Sequence, residues 1–275
     1  MRHPYAVTSL AFSPCGEYLA SGSIDNTAVV WSIVTERKLA SLEHEDYIRS
    51  VAFSPDGKCL ATGSGNDSTM IWAVATERKL ASFEHDIQHM NDMYVWRVDF
   101  SPDGKYLATG SWEETADILN VATERKLASF EHDHIVWAVD FSPDGKYLAT
   151  NGKIFAVKES ENGKTNIVLR LKRIAWSVSF NPSGRYFVFE YQRDYCIAEW
   201  RKNKIIKTER TEGEVWYLSW FKRFPVWNDH TTRIYSPFAE IQEKHISRMD
   251  LSRRGFLAIG YWNGLIKVIR EGKGI

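Results

Sequence analysis

Cysteine is scarce in this chain of 275 residues, and Cys15, Cys59 and Cys196 share no metal-like spacing, so neither a disulfide framework nor a thiolate metal centre is expected. No stretch approaches the roughly 18 consecutive apolar residues of a membrane helix. The opening MRHPYAV also lacks an apolar signal core. A cytoplasmic protein without membrane contact is therefore expected. Missing too are a glycine-rich phosphate loop, a nucleophile elbow and a His-Glu metal helix, which argues against an enzyme and against any cofactor or bound metal. Net charge is zero, with 35 Lys+Arg against 35 Asp+Glu, so the chain as a whole is neither basic nor acidic.

What the chain has in abundance is itself. VATERKLASFEHD at Val74 to Asp86 recurs letter for letter at Val121 to Asp133, and IVTERKLASLEHE at Ile33 to Glu45 is a diverged third copy. A second phrase follows each one: VAFSPDGKCLATGS at Val51, VDFSPDGKYLATGS at Val98 and VDFSPDGKYLATNG at Val139. Fixed-period self-similarity of about forty residues marks a repeat array. Within a unit the apolar residues alternate with the period of strands, and Pro-Asp-Gly between two such runs is a turn with a mechanism. Proline presets φ, and glycine accepts positive φ. Superposing the units on their strand-end aromatic gives Phe12, Phe53, Phe100, Phe141 and Phe180, then Trp220 and Leu251. Seven units of four short antiparallel strands predict an all-β, seven-bladed β-propeller in a single domain over 1–275. Its blades start near residues 6, 47, 94, 135, 174, 214 and 245. Few residues flank the first and last strands, so the last blade is expected to be incomplete, or the chain to be a piece of a longer propeller.

These residues resemble the WD-repeat β-propeller family, strongly over residues 1–150 and loosely beyond. The resemblance implies a buried hydrogen-bond network of His, Ser or Thr, Asp and Trp in a blade. It transfers onto His3, Ser21, Asp25 and Trp31 in blade 1, and onto His44, Thr62, Asn66 and Trp72 in blade 2. Blade 3 departs, with Glu113 and Leu119 in the Asp and Trp places, and in blade 4 Phe155 stands for Trp. The resemblance implies that these histidines are architecture. It also implies a non-enzymatic scaffold that binds partner proteins or peptides.

Four residues before the strand-end aromatic, successive units carry Thr8, Arg49, Trp96, Trp137, Trp176, Trp216 and Ser247. A position that takes arginine in one copy and tryptophan in the next cannot be deep core in all of them, so an aromatic arc near the mouth of the central channel is predicted. Tyr47, Tyr94, Trp112 and Trp262 are its candidate rim. Tryptophan, tyrosine and arginine concentrate binding energy. Zero net charge also hides a polarity: residues 1–150 hold 12 Lys+Arg against 22 Asp+Glu, and residues 151–275 hold 23 against 13, charges of −10 and +10. Salt-sensitive self-association is one expectation from this. The alternative to a protein partner is nucleic acid or another anionic partner held by the basic half, through Arg170, Lys172, Arg173, Arg201, Lys202, Lys204 and Lys207.

Overall fold

A computed structural model describes the chain except residues 67, 85–93, 158–166, 171–174, 192–193, 203, 211–214, 222–223, 230–232, 236–240, 243–245, 252–255 and 271–275. Side chains of 84, 190–195, 207, 209–248, 251 and 270 are likewise outside the description. Among the described residues, apart from one short 3-10 turn, Trp200–Lys202, the regular structure is strand. The described residues form seven antiparallel sheets laid out in chain order. Six have four strands, and the last, Ile246–Leu251 with Phe256–Tyr261 and Ile266–Arg270, has three. The first strand of each sheet touches the first strand of the next, and Ile246–Leu251 touches Val7–Phe12. The sheets thus close a ring, with these first strands innermost.

The turn phrase builds its own geometry. Gly57 sits at φ 71°, the Ser54 hydroxyl donates to Asp56 Oδ1 at 2.6 Å, and the same carboxylate accepts from Lys58 N at 3.0 Å. The arrangement recurs at Ser101–Asp103 and Ser142–Asp144. On the outer edge the TERK phrase turns through Glu36, Glu77 and Glu124, each at φ of 53–55°. Glu77 Oε2 accepts from Ser41 N of the neighbouring outer strand at 3.2 Å, which occupies part of an otherwise open edge.

Two devices join the sheets. Each innermost strand is a sheet edge, so some of its N–H groups need partners from outside the sheet. Ser9 Oγ accepts from Val51 N and Ser50 Oγ from Val98 N, both at 3.1 Å. Asp99, Asp140 and Asp250 accept from Phe141 N, Phe180 N and Phe12 N at 3.0, 2.5 and 2.7 Å. The Asp250 bond crosses the joint where the ring closes. The second device is close packing on glycine. A Cβ on Gly22, Gly63, Gly110 or Gly260 would lie 2.5–2.8 Å from a side-chain carbon of Ile48, Val95, Val136 or Val7, each fully buried and in or just before the first strand of the following sheet.

The seventh sheet has no fourth strand among the described residues. The start of the chain covers one end of it instead: Arg2 bridges Leu265, His3 N donates to Gly264 O at 2.8 Å, and Ile266 N to Met1 O at 3.1 Å. The incomplete last blade was expected, but not this short N-terminal cover.

Gly110→Ala tests the glycine joint. Its Cβ would meet both the side chain and the backbone oxygen of Val136 at 2.8 Å, and a backbone atom cannot rotate away. Overpacking of this kind should cost about 1–3 kcal/mol in chemical denaturation.

Candidate functional site

The four residues transferred in blade 1 form one chain. Asp25 Oδ2 accepts from His3 Nδ1 at 2.8 Å, His3 Nε2 meets the Ser21 hydroxyl at 2.6 Å, and Trp31 Nε1 donates to Ser21 Oγ at 2.7 Å. The acceptor on Nδ1 sets the tautomer, leaving Nε2 to receive the serine proton. Blade 2 repeats only part of this. His44 Nε2 and Thr62 Oγ1 are 3.0 Å apart and Trp72 Nε1 donates to Thr62 Oγ1 at 3.0 Å, but Asn66 stays out of the network. Its Oδ1 accepts from the Ser64 and Ser68 hydroxyls inside its own turn, leaving His44 Nδ1 buried without a partner among the described residues. A carboxylate has a second oxygen to offer the histidine, as Asp25 does, and a carboxamide has none. In blade 4, His132 Nε2 lies 2.7 Å from Thr150 Oγ1 and packs edge-on against Phe155. In blade 3, Leu119 is buried at the Trp place, and Thr109 Oγ1 has no partner among the described residues. His85 and His89, just before blade 3 in the chain, fall outside the described residues.

Burial dominates the titration of these histidines. It lowers His3 despite the attraction of Asp25, and it takes His44 and His132 from 6.5 to about 4. The unfolded chain therefore binds protons between pH 6.5 and 4 that the folded chain refuses. Stability is full above about pH 6.5 and is lost as pH falls through that window, with a slope of up to about 1.4 kcal/mol per pH unit for each histidine. His132→Gln should flatten the fall of the urea midpoint between pH 6.5 and 4.

The arc residues have a local cause. In the innermost strands Thr8, Arg49, Trp96, Trp216 and Ser247 are each skipped in the pairing with the second strand, because the register shifts across Val7/Ser9, Ile48/Ser50, Val95/Arg97, Val215/Tyr217 and Ile246/Arg248. They occupy β-bulges. A bulge leaves one residue unpaired and re-aims its side chain. Trp137 and Trp176 precede the shorter inner strands Val139–Phe141 and Val178–Phe180, and Asn151 holds the first of them. Asn151 Oδ1 accepts from Trp137 N at 2.9 Å and from Ala138 N at 3.3 Å, and its amide donates to Ile135 O.

The re-aimed side chains meet. Trp112 stacks on Trp96 with centroids 6.4 Å apart, Trp96 lies 4.5 Å from Trp137, and Trp137 stacks on Trp176 at 6.4 Å. Tyr94 touches Trp96, Trp112 and Tyr47 at 5.7–6.0 Å. The Arg49 guanidinium carbon sits 4.1 Å from the Trp96 centroid, 4.6 Å from Tyr47 and 5.0 Å from Tyr94, and Nη2 donates to Tyr47 Oη at 3.1 Å. Trp112 and Trp176 at the two ends of the ladder are 40% and 53% exposed. Buried within it, Arg49 Nε and Trp96 Nε1 have no hydrogen-bond partner among the described residues. Trp262 is equally exposed but joins no ring contact among the described residues. The side chain of Trp216 lies outside the described residues.

Sequence reasoning missed Asn151 and the inner aspartates. Burial raises Asp99 to about 6, and burial with the neighbouring Asp99 charge raises Asp140 well above the usual carboxylate range. The signal was visible: VDF in two copies where others have AF or SF. Of the basic residues, Arg170 pairs with Asp133 at 3.5 Å, Arg201 with Asp144 at 3.6 Å and Lys202 with Glu199 at 3.0 Å. Arg201 also lines a cleft of about 490 Å³ with Lys146, Tyr147, Val168, Leu169 and Trp200. Lys204 is exposed; Lys172, Arg173 and the Lys207 side chain lie outside the described residues.

A family model described as WD domain, G-beta repeat matches residues 2–32, 36–73, 80–116 and 124–153. A ribosome biogenesis protein BOP1 homolog of Drosophila persimilis is 45% identical over 47 residues, which is 17% of this chain and 6% of that protein. WD repeat and HMG-box DNA-binding protein 1 of Xenopus laevis is 46% identical over 39 residues, 14% of this chain and 4% of that protein. Each similarity is about one repeat unit long, so the chain matches only a small fraction of these relatives.

Proposed function

Because the chain belongs to the WD-repeat family of β-propellers, we propose that it is a non-enzymatic, cytoplasmic scaffold that captures a partner protein or peptide at the mouth of its channel. The observation that carries this reading is the continuous surface of Tyr47, Arg49, Tyr94, Trp96, Trp112, Trp137 and Trp176, assembled from four successive sheets. Large rigid rings bury much area with little loss of side-chain freedom, and a ladder of them around a rim has the makings of a binding hot spot. Similarity over a single repeat does not carry over ribosome biogenesis or DNA binding from the relatives' names. A nucleic-acid reading of the basic half is weakened by the ion pairs that already engage Arg170, Arg201 and Lys202.

Trp137→Ser with Trp176→Ser should leave the melting temperature within a few degrees, because both residues flank the inner strands and Trp176 is half exposed. Capture of the native partner from cell extract should be lost. Unchanged capture would remove the arc from the binding surface, whereas collapse of the fold would make these rings packing.

The charge polarity supports a second property of the same scaffold. Sheets follow chain order around the ring, so the −10 and +10 segments face opposite ways across it. Two copies should associate below about 50 mM salt and separate as screening shortens the reach of charge to about 10 Å near 0.1 M. Sedimentation at the two salts measures this, and one unchanged coefficient excludes it.

A further inference from the structure

Arg49 shows what the aromatic surface accepts. Its guanidinium lies within 5.0 Å of three ring centroids, Trp96, Tyr47 and Tyr94, and the nearest, at 4.1 Å, is the indole. A planar, weakly hydrated guanidinium over the electron-rich face of tryptophan is the most favourable cation–π pairing that protein side chains offer. This cation is the protein's own, and it fills only one end of the surface.

Among the described residues, the ladder continues past Arg49 without a second cation over its rings. Trp112 stacks on Trp96 and is anchored by its own backbone, with Trp112 N donating to Tyr94 O at 2.9 Å, yet it stays 40% exposed. The groups beside it are acidic. Glu113 and Glu114 follow it directly in the turn, and Asp46 precedes Tyr47, which touches Tyr94. Gly65 lies against both: a Cβ there would come within 2.8 Å of Asp46 Oδ2 and 3.0 Å of the Tyr47 ring. The segment that supplies Trp96, Trp112 and Trp137 belongs to the half of the chain carrying −10. An exposed indole followed in the chain by two glutamates, on the acidic half of the chain, favours a cation and disfavours a polyanion such as nucleic acid.

Resting on the scaffold reading above, we propose that the segment seated on this surface carries an arginine, whose guanidinium stacks on the exposed indole of Trp112 beside Glu114. The ligand arginine extends the ladder that Arg49 begins. The recognised chemistry is a guanidinium within an extended peptide, presented to the acidic side of the ring.

The test uses the full chain and a fluorescein-labelled peptide, Gly-Arg-Gly-Gly-Arg-Gly, with a twin in which citrulline replaces both arginines. Citrulline keeps the shape and removes the charge. Anisotropy titration should show the arginine peptide binding about 5- to 30-fold more tightly, the range that one desolvated cation–π contact supports. Trp112→Ala should erase that preference, Trp112→Phe should retain part of it, and Glu114→Gln should weaken the arginine peptide alone. Equal binding of the two peptides, or a preference that survives Trp112→Ala, overturns the assignment. Displacement of the arginine peptide by a short oligothymidylate that binds more tightly overturns it in favour of a nucleic-acid surface. Failure here is separable from failure of the scaffold reading: indifference to citrulline with native capture still lost in the Trp137/Trp176 variant rejects arginine and keeps the arc, whereas intact capture in that variant rejects the arc itself.

Discussion

Everything in this ring depends on how closely one sheet can approach the next, and that distance is set where a glycine of one second strand meets an aliphatic side chain of the following sheet. Gly22 admits Ile48, Gly63 admits Val95, Gly110 admits Val136, and across the closing joint Gly260 admits Val7. All four aliphatic residues are fully buried. A methyl group on any of these glycines would stand about an ångström inside ordinary contact, and interiors packed to crystalline density have no room to yield by that much. The fourth joint shows the same constraint met differently. Asn151 takes the glycine's place, and the residue facing it in the next sheet is Ala175, fully buried, with Ala175 N donating to Asn151 O at 3.3 Å. A larger residue on one side is matched by a smaller one on the other.

The hydrogen bonds between inner strands follow from that proximity. Once the strands approach this closely, water is displaced from the edge of each, and each N–H that faces the neighbouring sheet needs an acceptor there. Serine suffices at the first two joints. Aspartate serves at the next two and at the closing one, where a charged acceptor forms a stronger bond but bears the cost of burial, as the raised Asp99 and Asp140 show. The buried histidine networks act within a sheet rather than between sheets. Their incompleteness in blade 2, where Asn66 turns away from His44, leaves the ring intact.

Much of this was legible before any coordinates. The repeat phrases carried the strand count, the turns and the order of sheets, because each unit states them again. The networks were legible as residues but not as contacts: Asp25 and Asn66 hold the same place, and only geometry distinguishes a carboxylate that reaches the histidine from a carboxamide captured by Ser64 and Ser68. The arc was inferred from an alternation of arginine and tryptophan. The bulge behind it was not, since a register shift of one residue leaves no mark in composition. Asn151 escaped for a related reason. It reads as one departure from the phrase ATGS, whereas its amide fixes the loop that presents Trp137.

The bulge also explains why variation collects at one position in each unit. A residue in the pleat of an inner strand faces the preceding sheet, and its volume is dictated by the glycine opposite: Val7, Ile48 and Val95 differ by at most one methylene. The very next residue lies outside the pairing with the second strand, and its type varies: Thr8, Arg49, Trp96, Trp216 and Ser247 differ in size, charge and polarity, and Thr8 uses its hydroxyl to donate to Ile48 O of the neighbouring sheet. A rigid ring thereby carries a row of side chains whose identity the fold does not determine. Two of these bulged positions and the equivalent Trp137 and Trp176 carry tryptophan, and a third bulge carries arginine, rather than small polar residues; contact with a partner, as proposed above, is a physical demand that large, partly exposed rings meet.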